Sequence, residues 1–293
     1  MNDRRAVARG QGDDMRLLVS SPEDQASVNI RDELIALGGW GPSGMFEGNP
    51  ALVRGDLTLI TIPGVHLHCD HVDDQVEAAL GRRPEEVIFL SRHRAASGQR
   101  SLTVHPIGNW NRAEHGGREG ELVRAAPDLM TSLLRELKRQ AAGLPFEVTF
   151  EVTHHGPYLE TPTLFIEIGS SEASWGDRDA ARAIARSLTE VRVMECPRAI
   201  GIGGGHYAPR FTEVSLTKRI SFGHMLPVHG FDLQDTGDLA AKIVRGMERS
   251  GASLAYLHKK SMKRSEATLV SKLISDLGYR VVDSSDLEDI ETG

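Results

Sequence analysis

Three polar stretches of this 293-residue chain carry the residue types best suited to chemistry, and two are dense in histidine. Glu151-Val152-Thr153-His154-His155-Gly156-Pro157 follows an alternating apolar segment, so it stands at a strand exit, where α/β folds place ligand groups. On an extended chain Glu151 and Thr153 share one face and His154 takes the other. Two adjacent imidazoles with a carboxylate suit metal binding or proton transfer near neutral pH. A histidine pair that only caps the strand by hydrogen bonds is the structural alternative. Gly203-Gly204-Gly205-His206 also follows an apolar segment. Backbone N–H groups without side chains can approach a phosphate or a developing oxyanion closely. His206 then offers a base or ligand, and Arg210 a phosphate partner. No Gly-Lys-Ser/Thr follows, which excludes a P-loop, and no good helix start follows either. A turn required by packing is the alternative here. The third stretch, His66-Leu67-His68-Cys69-Asp70-His71, sets two histidines two residues apart, and on an extended chain one metal takes both. A polar turn between strand and helix explains it as well and is preferred.

The remaining signals lie at strand ends. Arg92-His93-Arg94, His105, Glu167 and His224 each end or leave an apolar segment, which points to one converging cleft. Lys259-Lys260-Ser261-Met262-Lys263-Arg264 is basic, and residues 135–139 add a second basic patch. Each reads first as a solvated face, and the former also as a landing place for an anion.

Strands and helices must interleave to hold these ends together. Residues 15–21 read as a strand and Ser21-Pro22-Glu23 as a helix start, stopped by Gly38-Gly39. Strands are expected at 56–62, 86–90, 102–105, 146–153, 163–168, 199–202, 214–222, 254–257 and 280–283. Helices are expected at 72–80, 127–142, 177–191, 235–249 and 264–277. The class is α/β, and the strand pair within 146–168 without a helix between makes the sheet mixed. One catalytic domain over 15–293, with room for a smaller central lobe, is expected after a disordered polar leader, 1–14.

Composition narrows the function. Hydrophobic residues make up 40% and charged residues 26%, which is ordinary for a globular protein. A net charge of -7 speaks against a non-specific nucleic-acid coat. The two cysteines form no CxxC, which excludes a disulfide scaffold and fits a reducing compartment. No apolar run is long enough for a membrane span and no signal peptide leads the chain, so the cytoplasm is expected.

The words SRHRAASG (91–98), TVHPIGN (103–109), EVTHHGP (151–157), EIGSSEASW (167–175), GGGHYAPRFT (203–212) and FGH (222–224) stand in one order along the chain. In this the sequence resembles the D-aminoacyl-tRNA deacylases of the archaeal-and-plant type. The resemblance implies hydrolysis of the ester joining a D-amino acid to the tRNA 3′ end, zinc as cofactor, and a three-layer α/β/α fold akin to phosphorylases and peptidyl-tRNA hydrolase. It also implies a monomer with no membrane contact and no stable protein partner. The expected ligands are His93, His105, His154, His155, His206 and Glu167, with Glu151, His154, His155 and His206 at the chemistry. Gly203, Gly204, Gly205, Arg210 and His224 are expected to meet the substrate, and Arg92, Arg94, Lys259 and Lys260 the tRNA phosphates. Preference for the D-enantiomer rests on the resemblance alone. Asp70-His71-Val72-Asp73 matches the family's Asp-His-Ile-Asp, whereas His66, His68, Cys69, His115, His229 and His258 fall outside its pattern. Two other readings stay open. One resembles a metallo-β-lactamase-like hydrolase using His66, His68, Asp70 and His71; the other is a nucleotide-binding module that holds phosphate on the glycines without catalysis.

Overall fold

The structure is a computed structural model that describes residues 15–96 and 98–290. The leader expected to be disordered, 1–14, lies outside the described residues. The chain runs through β1 (Arg16–Ser20), α1 (Gln25–Ala36), β2 (Gly41–Phe46), β3 (Asn49–Arg54), β4 (Leu57–Thr61), α2 (Val72–Leu80), β5 (Glu86–Arg92) and β6 (Ser101–Pro106). It continues through α3 (Pro127–Gln140), β7 (Glu147–Phe150), β8 (Thr163–Gly169), α4 (Glu172–Trp175) and α5 (Arg178–Glu190). These strands form one sheet in the order β2-β3-β4-β1-β5-β8-β6-β7. β1, β4, β5 and β8 run parallel, while β6 is antiparallel to β8, so the sheet is mixed as expected.

Alternation along the central strands divides the core. Leu18, Ile88, Leu90 and Ile166 pack under α1, α3 and α5 on one face. Leu17, Val19, Val87, Phe89 and Phe165 meet Val72 and Val76 of α2 on the other. Each such side chain contributes roughly 1.5–3 kcal/mol by leaving water. Strands buried on both faces read as unbroken apolar runs, which is why β1, β5 and β8 were legible.

A second sheet follows from β9 (Arg198–Ile202), α6 (Pro209–Thr217), β10 (Ser221–Leu226), α7 (Thr236–Ser250), β11 (Leu254–Leu257), α8 (Arg264–Asp276) and β12 (Arg280–Val282). Its order is β10-β9-β11-β12, all parallel. Ile200 and Ile202 of β9 pack there with Ile243 and Met247 of α7 and Val270 and Ile274 of α8.

Two local expectations are corrected and one element is added. Residues 209–217 form a helix, not the start of a strand: Pro209 opens it, and Phe211 and Val214, three apart, are buried on one helical face. A helix therefore does follow the glycine loop. α1 begins at Gln25 rather than at Ser21-Pro22, because Asp24 is its cap, accepting from the Ser27 amide at 3.0 Å. The sequence does not show the hairpin β2–β3, since its strands lie at the sheet's edge side and are half exposed, and Gly41 and Gly44 hide the alternation.

Candidate active site

Four neighbouring strands of the large sheet bring the histidines and carboxylates together. Glu167 on β8 pairs in register with Ser91 of β5 on one side and Thr103 of β6 on the other. His93 follows the end of β5. His105 lies two residues along from Thr103, on the same face as Glu167. β7 stops at Phe150, earlier than expected, so the alternation between Glu151 and His154 does not hold. The chain instead bonds across to the loop between β9 and α6. Ala208 N–H donates to Phe150 O at 2.9 Å, and Val152 N–H to His206 O at 3.0 Å. That pairing carries His206 into the site, and His154 folds back to the side of Glu151.

The distances describe one cluster. His93 Nδ1 lies 3.2 Å from Glu151 Oε1 and 3.5 Å from Glu167 Oε2. His206 Nε2 lies 3.0 Å and His154 Nε2 3.5 Å from Glu151 Oε2. His105 Nε2 is 3.7 Å from Glu167 Oε1. The rings of His105 and His154 stack at 4.2 Å, and His155 stands edge-on to His154 at 4.3 Å. His105, Glu151 and Glu167 are buried, and His206 opens to solvent.

Backbone carbonyls set the tautomers. The Nδ1 of His105, His154 and His155 lies 3.2, 2.8 and 2.6 Å from the carbonyl oxygens of Pro106, Val152 and Gly156. A carbonyl only accepts, so Nδ1 carries a proton in all three, and in neutral His154 and His155 Nε2 keeps its lone pair. His155 itself has φ +47°, a left-handed conformation that costs a non-glycine residue about 1–2 kcal/mol. Its neighbours enforce that turn: Gly108 N–H donates to His155 O at 2.8 Å and Gly156 N–H to His115 O at 3.0 Å. A Cβ on Gly156 would stand 2.1 Å from Gly117 N, so only glycine fits there.

Charge and burial act against each other in the cluster. Burial pushes the His155 imidazole down to about 4 and that of His154 well below its ordinary value, so both are neutral. Burial also opposes protonation of His93 and His105, but Glu167 and Glu151 outweigh it and raise both. Glu151 and Glu167 stay ionised in return: burial works against their charge, and His206 beside Glu151 and His105 and His93 beside Glu167 hold them below the usual carboxylate range.

Of the residues expected at the site, His93, His105, Glu151, His154, His155, Glu167 and His206 converge. The others do not join them. The His224 ring is fully buried behind the cluster, with Thr153 Oγ1 3.1 Å from its Nδ1 and Val123 O 2.8 Å from its Nε2. Arg210 turns away to Glu213, Tyr256 and Ser284. Gly203 N–H donates to Leu226 O and Gly204 N–H to Ser261 Oγ, so those two amides are taken within the fold. A Cβ on Gly203 would come within 2.5 Å of Ser261 Oγ, and packing explains that glycine. Lys259 and Lys260 sit in the turn beside this loop. Arg92 and Arg94 stand at the cleft rim, 5.2 and 5.1 Å from the Trp175 ring.

The segment His66 to His71 is not extended. A short 3-10 turn, His66–His68, directs His66 into the core, where Ser27 Oγ is 3.5 Å away, and His68 to the surface. Asp70 accepts from Tyr158 N–H at 2.7 Å, and His71 faces Asp74 and Arg118. Among the described residues these four form no metal-competent group, which removes the lactamase-like arrangement.

Three contributors were not foreseen. Asp24 pins the Arg92 amide at 3.0 Å, and Trp175 Nε1–H donates to His93 O at 2.9 Å, so both fix the segment that carries His93. The third is His115. It lines both a cleft of about 700 Å³, together with Arg92, His93 and His206, and a cleft of about 530 Å³ beside Asn109 and Trp110. Trp175 closes the word EIGSSEASW, which was the one signal available.

Residues 80–282 match the profile of the family described as D-aminoacyl-tRNA deacylase. A curated relative of that name from Methanosarcina acetivorans is 39% identical over 281 residues, covering 93% of each chain. One from Pyrococcus furiosus is 34% identical over 274 residues, covering 92% of this chain and 99% of its own. In Methanococcoides burtonii the match is 39% identical over 94% of this chain, but the chain spans only 58% of that relative's length. The crystal structure of a conserved protein of unknown function superposes with a TM-score of 0.83 at 30% identity, covering 95% of this chain and 98% of the other.

Proposed function

The chain belongs to the D-aminoacyl-tRNA deacylase family, and from that premise we propose how its residues divide the work. The reaction is hydrolysis of the ester between a D-amino acid and the tRNA 3′ end, which releases the amino acid and free tRNA. The observation that carries the assignment is the convergence of five imidazoles and two carboxylates. His93 Nε2 and His105 Nε2 are buried without a hydrogen bond, and the buried oxygens of Glu151 meet only the ring nitrogens of His93, His154 and His206. Orphaned buried polar atoms of this kind call for an occupant.

Zinc fits this donor set. It takes imidazole nitrogen and carboxylate oxygen, and its histidines characteristically donate the other ring N–H to a carbonyl or carboxylate. His105, His154 and His155 would hold an ion as one set, and His93, Glu151 and His206 as another, with Glu167 beside both. When bound, zinc lowers the pKa of a coordinated water to about 7 and polarises an ester carbonyl. With His105, His154 and His155 as the set that would hold the ion, Glu151 stays free to accept the proton of the attacking water. His206, 3.0 Å from it and open to the cleft, returns a proton to the departing ribose oxygen. Gly205 supplies the remaining amide of its loop to the terminal ribose. Arg92, Arg94, Lys259 and Lys260 meet phosphates. The same reading has the enzyme act as a monomer in the cytoplasm, in keeping with its unpaired cysteines; no helix among the described residues is long and apolar enough to cross a membrane.

The test is release of tyrosine from D-Tyr-tRNA and L-Tyr-tRNA, with zinc and after chelation. Release from the D-ester only, lost on chelation and restored by zinc, is expected. Release that survives chelation discards the metal, and release from neither ester discards the reaction. Exposed His68 separates this site from the lactamase-like one. His68→Ala should keep turnover within about two-fold, the usual range for a surface change; a loss of 100-fold or more would restore His66, His68, Asp70 and His71.

A further inference from the structure

The two clefts meet at one place. Both are walled by His154, His155 and His115, and otherwise they share no lining residue. An ester bond held there has its two halves directed into different cavities. We infer that the larger cleft takes the 3′-terminal nucleotides of the tRNA and the smaller cleft takes the aminoacyl side chain.

Charge decides between the two orientations. At the rim of the larger cleft Arg92 has no carboxylate within ion-pair distance among the described residues. Arg94 has only Glu172, at 3.4 Å, with both side chains more than 70% exposed, a pairing that leaves its charge available. Both guanidinium groups lie against the buried Trp175 ring, so two cations are preorganised side by side. Phosphodiesters are drawn to such a pair, whereas the α-ammonium of an aminoacyl ester is repelled. Three carboxylates also line this cleft: Asp24 already accepts from Ser27, Ser91 and Arg92, Glu167 lies beside His93 and His105 in the cluster, and Glu23 is exposed with neither arginine in ion-pair contact.

The smaller cleft has one arginine and one glutamate, Arg112 and Glu114, and no cation pair. Its walls are fixed from behind. The buried Lys242 Nζ donates to Asn111 Oδ1 at 2.7 Å and to Gly230 O at 2.9 Å, tying one wall to the other. Trp110 Nε1–H donates to Met225 O, and Asn109 Nδ2 to Gly116 O. With these polar atoms engaged inside the fold, the cleft offers a rigid surface that sorts a side chain by size. His229 stands exposed at its edge.

The inference rests on the deacylase reading, and the experiment keeps the two apart. Full-length protein is assayed with D-Ala-tRNA and D-Tyr-tRNA, with deacylated tRNA as competitor. The double variant Arg92→Ala, Arg94→Ala should raise KM for both esters and weaken competition by deacylated tRNA about ten-fold, with a flatter salt dependence. Its D-Ala to D-Tyr ratio should not move. His229→Trp should lower kcat/KM for D-Tyr-tRNA about ten-fold relative to D-Ala-tRNA, with competition by deacylated tRNA unchanged. The reverse pattern, or either variant moving both readouts, overturns the partition. Failure of the wild-type protein to release either amino acid overturns the deacylase reading instead.

Discussion

His155→Ala lowers the single-turnover rate of D-tyrosine release by about 10³-fold or more, the scale on which a group at the reacting centre acts. The expectation follows from the ring and not from the turn that bears it. His155 Nδ1–H is tied to Gly156 O, and the ring stands 4.3 Å from His154 and 4.9 Å from His105. Removing it deletes one of three ring nitrogens that lie within 4.8 Å of one another. The backbone is held by other groups. Gly108 N–H and His115 O secure residues 155 and 156 whatever the side chain, and alanine at φ +47° is strained on the same scale as histidine. Loss of the ring contact with Phe165 costs about 1 kcal/mol, a few degrees of melting temperature. The decisive comparison is turnover against thermal melting of the same preparation. Near-normal turnover removes His155 from the chemistry, and collapse of the melt shows a structural role instead.

How much of this was readable from residues alone depends on whether neighbours in the chain are neighbours in space. Glu151, His154 and His155 lie within five positions, so their proximity needed only a strand exit. His93, His105 and Glu167 each sit near a strand end, and a sheet with apolar strands must bring such ends together. The direction of a side chain beyond the strand was not legible. The strict alternation FEVTFEVT placed His154 opposite Glu151, but hydrogen bonds of Val152 and Ala208 that tie this segment to the loop after β9 accompany the end of β7 at Phe150 and reverse that relation. The glycine loop failed for a related reason. Three glycines invite a ligand or a tight contact, and only tertiary structure shows Ser261 and Leu226 occupying the amides of Gly204 and Gly203. His224 looked like a strand-end substrate contact because its segment is apolar; burial on both sides of β10 makes it a core histidine, with its pKa pushed down to about 4 by that burial.

Glu151→Gln removes the charge at the centre of the cluster while keeping its shape. Turnover should fall by about 10²–10⁴-fold, and zinc retained after dialysis should drop with it. Glutamine keeps the size of the side chain and can still hydrogen-bond the imidazoles around it, so the variant folds at pH 7.5. Its acid behaviour tests the electrostatics separately, in metal-free protein. His206 and the other imidazoles hold Glu151 below its ordinary 4.5, against the burial that would raise it. A carboxylate with a depressed folded pKa stabilises the fold above its unfolded pKa, and that contribution drains as pH falls through the folded value. The unfolded chain binds the extra proton first, so stability must decline with acidity below about 4.5. Glutamine has no such titration. The stability gap between wild type and Glu151→Gln, from urea unfolding at a series of pH values, should therefore narrow as pH drops below 4.5. A gap that stays constant with pH would mean that Glu151 is not held as an anion by its histidines, and its place as the base that takes the proton from water would go to Glu167.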